Sequence, residues 1–123
     1  MRFDRSKFGV MAMLPLIGLL TLTGCSGVLS ATMEEKLAAG GTADDHLAAA
    51  RLYQDKAREL NANAAQYETA LSKIGPYEDT KGFRRGALTA AAQENRYEAK
   101  QMQEQYATHL AEARALYGKV QPH

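Results

Sequence analysis

His46 and His109 are the side chains of this chain best suited to chemistry, because an imidazole titrates near neutral pH and ligates transition metals. Asp45, Glu112 and Tyr53 fall near enough in helical register to serve them, so a metal or proton-responsive site is one reading. Neither histidine belongs to a His-x-x-x-His or Glu-x-x-His pair, the spacing by which helical bundles hold two metals, and His123 stands apart in the tail. No cofactor is therefore implied, and a periplasmic metal-binding or stress-response role using His46 and His109 is kept as the alternative function. Catalysis has less support still. Ser72 has no matched base and acid, and no glycine pair opens a phosphate loop after a strand, so a non-enzymatic protein is expected. The other conspicuous group is Tyr77, Phe83, Arg84 and Arg85, close together between Gly75 and Gly86. Aromatic rings beside arginines are the composition of contact hot spots, unless Phe83 folds back to plug the end of the helices.

These residues are positioned by two long helical segments. Thr42 followed by Asp44 and Asp45 reads as a cap with first-turn carboxylates, and no Gly or Pro interrupts the chain from there to Ile74. Gly75-Pro76 ends that run, and a second goes from Ala87 to Tyr117, closed by Gly118. In the first, His46, Ala50, Tyr53, Ala57, Leu60, Ala64, Tyr67, Leu71 and Ile74 follow alternating steps of four and three. In the second, Leu88, Ala92, Asn95, Ala99, Met102, Tyr106, His109, Ala113 and Leu116 do the same. A sustained 3.5-residue repeat is the signature of coiled-coil packing. The expected fold class is all-α: an antiparallel two-helix coiled-coil hairpin over about 43–74 and 87–117.

Folding the two seams about the turn pairs residues whose numbers add to about 162. His109 then faces Tyr53, His46 faces Leu116, Leu60 faces Met102, and Tyr67 faces Asn95 as a polar pair fixing register. Alanine-rich seams bury little area, while Leu47, Leu52, Leu110 and Tyr117 widen the apolar stripe. Self-association, or docking on another envelope protein, is expected to cover it.

Ahead of the helices, Arg2, Arg5 and Lys7 precede an uncharged run of about 15 residues from Phe8 to Leu22, short of the roughly 20 that span a bilayer. The run ends in Leu22-Thr23-Gly24-Cys25, which resembles the lipobox of bacterial lipoproteins. The resemblance implies a signal peptide over 1–24, cleavage before Cys25, and a diacylglycerol thioether on the Cys25 sulfur. Cys25 is the only cysteine, so an intramolecular disulfide is ruled out. Ser26 follows it, with no Asp there to mark inner-membrane retention, so the periplasmic face of the outer membrane is the expected address. A tether over 25–42, a helical domain over 43–118 and a tail over 119–123 complete the organisation. The tether is expected to carry a short helix over about 32–39, capped by Thr32. The run His46-x-x-x-Ala50-x-x-Tyr53-x-x-x-Ala57 is also similar to small periplasmic helical-hairpin proteins, a likeness that implies no function.

The whole chain has 15 basic and 14 acidic residues, and setting aside Arg2, Arg5, Lys7 and Asp4 leaves 12 and 13. A net charge near −1 gives no electrostatic footprint for nucleic acid. The expected partners are the membrane, through Cys25, and protein. With the hairpin upright on that membrane, its turn would stand about 48 Å out.

Overall fold

A computed structural model describes residues 27–120. The expected signal segment over 1–24, the lipobox-like run with Cys25, and the last residues including His123 lie outside the described residues. Within them the protein is all-α, with three helices and no strand: α1 (Ala31–Ala38), α2 (Ala43–Ser72) and α3 (Phe83–Val120). The short helix is thus a full third element. No helix among the described residues is long and apolar enough to cross a membrane.

Local chemistry sets the helix ends. Ser30, rather than Thr32, caps α1, its hydroxyl accepting from the Met33 N–H. Gly40 and Gly41 then turn the chain at φ +107° and +63°, values that favour glycine. Thr42 and Asp45 form a reciprocal capping box: Thr42 Oγ1 accepts from the Asp45 N–H at 3.1 Å, and Asp45 Oδ2 accepts from the Thr42 N–H at 2.9 Å. The Thr42 N–H, aided by the Thr42 hydroxyl, holds the Asp45 carboxyl below its ordinary range. Lys73 caps the far end of α2, two residues short of the Gly75-Pro76 break.

The third helix departs from expectation at both ends. It begins at Phe83, four residues before Ala87, because Asp79 reaches across the turn to accept from the N–H groups of Arg84 and Arg85 at 3.3 and 2.8 Å. Gly86 therefore lies inside the first turn, where its N–H bonds to the Gly82 carbonyl. Gly118 does not stop the helix either, which runs on to Val120. A glycine in a helix interior costs about 1 kcal/mol against alanine, too little to end a helix by itself.

Burial follows the heptad pattern except at Ala49, which is fully buried off the seam. His46, Ala50, Tyr53, Ala57, Leu60 and Ala64 are buried on α2; Ala92, Ala99, Met102 and Ala113 are buried on α3. Tyr53, Ala57 and Leu60 make one cluster with Ala99 and Met102, and Tyr106 packs beside it. Contacts between the long helices pair falling with rising numbers. Tyr53 meets His109, Asp44 meets Tyr117 and Glu68 meets Arg96. The expected Tyr67–Asn95 pair is replaced. Asn95 donates to the Ala91 carbonyl of its own helix, and Tyr67 is 37% exposed. Arg96 joins the helices there instead, bonding to Asn61 Oδ1 at 2.9 Å and to both oxygens of Glu68.

One contact has no counterpart in the heptad pattern. Val28 and Leu29, just before α1, pack against the cluster of Tyr53, Ala57, Leu60, Ala99 and Met102. The chain therefore enters alongside the middle of α2, and α1 carries it back to the end where α2 begins.

Candidate functional site

The two histidines meet. His46 Nδ1 and His109 Nδ1 lie 3.0 Å apart, with ring centroids at 5.3 Å and planes tilted by 36°. His109 also stacks on Tyr53, at 5.5 Å and 10° between planes, as the seam pairing predicts. His46 meets His109 as well, a contact that pairing the seams level with level does not give. His109 reaches both Tyr53 and His46, since a side chain in such a seam sits between two partners one heptad apart.

The bonding partners fix where the protons sit. His46 Nε2 lies 3.3 Å from the Gly40 carbonyl, which can only accept, so this nitrogen carries hydrogen. In the neutral pair His46 Nδ1 then accepts from His109 Nδ1–H. One added proton is accommodated: His46 becomes an imidazolium donating to His109, or His109 becomes one donating to His46. A second added proton sets N–H against N–H and breaks the bond.

His46 is 8% exposed and His109 less sheltered. Burial, and then the proximity of His46, push the His109 imidazole below its ordinary value, partly offset by Glu112. A histidine whose value is lower folded than unfolded takes up its proton more readily in the unfolded chain. Its stabilising contribution is therefore complete above the unfolded value of about 6.5 and is lost as pH falls from there through the folded value. We expect the midpoint of thermal unfolding to fall by a few degrees between pH 7.5 and pH 5.5, and His109→Gln to flatten that dependence. An equal slope in both proteins would count against the assignment. The lowered values of Asp45 and Asp79 act below pH 4, outside this interval.

As a metal site the pair offers two nitrogens already bonded to each other. Among the described residues there is no group of three or more His, Cys, Asp or Glu placed to hold a metal ion. Asp45, expected as a neighbour, spends an oxygen on the Thr42 N–H.

The turn between α2 and α3 divides its four candidate residues. Tyr77 and Phe83 are 88% and 76% exposed, so Phe83 does not plug the helix ends. Arg84 is exposed beside them. Arg85 is committed elsewhere: Nη2 donates to the carbonyls of Ile74 and Gly75, at 3.2 and 2.8 Å, closing the end of α2. Together with Asp79 on the first N–H groups of α3, it ties both helices to one turn. The sequence shows the aromatic and cationic residues but gives no sign that Arg85 faces inward.

No family model, no curated protein and no solved structure matches this chain. Its function has to be argued from its own residues.

Proposed function

We propose that this is a lipid-anchored, non-enzymatic protein of the bacterial cell envelope that acts by protein contact. Its working part is a coiled-coil hairpin made of α2 and α3, with α1 and the preceding residues as an anchored strap. The anchor is the lipidated Cys25, after removal of residues 1–24, and its site is the periplasmic face of the outer membrane. The contact surface is the turn, with Tyr77, Phe83 and Arg84 as the contacting side chains and Arg85 as the brace that shapes it.

The observation that carries this reading is the exposure of Tyr77 and Phe83 on a turn tied at both ends. An aromatic side chain loses little entropy on binding and buries a large area. Two of them held out by the bonds of Asp79 and Arg85 are organised before a partner arrives. Exposed Tyr97, and a core whose most buried members are alanines, support a further contact along the helices, with a second copy or another envelope protein.

A photo-reactive amino acid at Phe83 in the lipidated protein, irradiated in cells, should give one discrete adduct with another envelope protein. The yield should fall at least several-fold with Tyr77→Ala. An adduct with a second copy would assign the turn to self-assembly, and the absence of any adduct would sink the contact role of the turn.

A further inference from the structure

We infer that the domain lies along the membrane, with the side of α2 that holds Leu52 beside Val28 against the lipid headgroups, rather than standing upright on it. This rests on the lipid anchor at Cys25 and follows from where the chain joins the domain. Gly27 and Val28 lie beside Leu52, Asp55, Lys56 and Glu59, and Val28 and Leu29 are packed into the central cluster. Residues 52–59 are about 14–24 Å along α2 from its start, at 1.5 Å per residue. The end of the domain opposite the turn is built from Thr42, Ala43 and Asp44 against Leu116, Tyr117 and Lys119.

Only three residue steps separate Cys25 from Val28, and a fully extended chain covers about 10 Å over that distance. An upright domain would need a leash of about 14–24 Å to clear its own lower end. While Val28 and Leu29 stay packed, that leash is too short, and charged and polar residues at the lower end would have to enter the lipid. Tilting the long axis to within roughly 30° of the membrane plane removes the conflict. Leu52 is an exposed leucine, 39% accessible, on the side the leash brings down, where headgroups would cover it. The turn then sits no more than about 25 Å above the lipid, against about 50 Å for an upright domain. A partner of Tyr77 and Phe83 must accordingly present its surface close to the membrane.

The height of the turn tests this. With the Cys25 sulfur blocked by its thioether, Lys81→Cys provides a single reactive thiol at the turn. A dye there, in the acylated protein on vesicles carrying an acceptor lipid, should report energy transfer matching a height below about 25 Å. Inserting a flexible linker of about 20 residues between Ser26 and Gly27 should raise the mean height and broaden its distribution. An acylated, vesicle-bound protein with its turn near 50 Å overturns the orientation alone. A protein recovered without acyl mass overturns the anchor and the orientation together.

Discussion

Leu60→Ala is expected to destabilise the folded protein by about 2–5 kcal/mol, a large part of the total for so small a domain. Leu60 is 6% exposed, and its cluster consists otherwise of Tyr53, Ala57, Ala99 and Met102. Few neighbours are free to collapse into the space it leaves. The converse change, Ala99→Leu, adds three carbons to a site with no room for them, since Ala99 is 1% exposed. Overpacking of this kind costs about 1–3 kcal/mol. The two changes restore the total volume of one cluster, so the double variant should be more stable than the sum of the single costs implies, by at least about 0.5 kcal/mol. Urea unfolding of the four proteins measures this. Simple additivity would mean that Leu60 and Ala99 do not share a packing site.

Most of this core was legible because an alternating step of four and three leaves one stripe on each helix, and two stripes can only be covered by facing each other. The cap of α2 was legible for a local reason: Thr42 and Asp45 satisfy each other's N–H groups within one turn, with no help from the rest of the fold. What stayed hidden depends on groups distant in sequence or off the seam. Arg96 and Glu68 are surface charges on different helices, and periodicity does not rank one surface pair above another. The start of α3 was misplaced because Gly86 reads as a breaker. The carboxylate of Asp79, reaching Arg84 and Arg85, outweighs it.

The histidine pair shows the same division at the candidate site. Its two members were visible on the seams, as was the meeting of His109 with Tyr53. Pairing level with level gives no sign that the two imidazoles touch, because interlocking side chains sit between levels and His109 spans two of them. Val28 and Leu29 gave still less warning. Two apolar residues in a tether have no period, and only the three-dimensional packing reveals them as a strap. That strap would give the proposed anchor a geometric consequence, because it fixes where the chain ahead of Gly27 joins the domain.

Cys25→Ser should accordingly have the largest effect of any single change on where the protein is found. At about 0.8 kcal/mol per buried methylene, two acyl chains hold a protein on a bilayer almost irreversibly. The described domain has no helix able to take their place. Serine cannot accept the thioether, so the variant should move from the membrane fraction almost entirely to the soluble or unprocessed one, whereas the native protein should need detergent for release. The far-ultraviolet dichroism and unfolding midpoint of the purified variant should match those of the native domain, since Val28 and Leu29, not the lipid, dock the strap. A variant that stayed with the membrane would show that α2 and α3 bind there through a surface of their own, and Leu52 would be the first side chain to truncate.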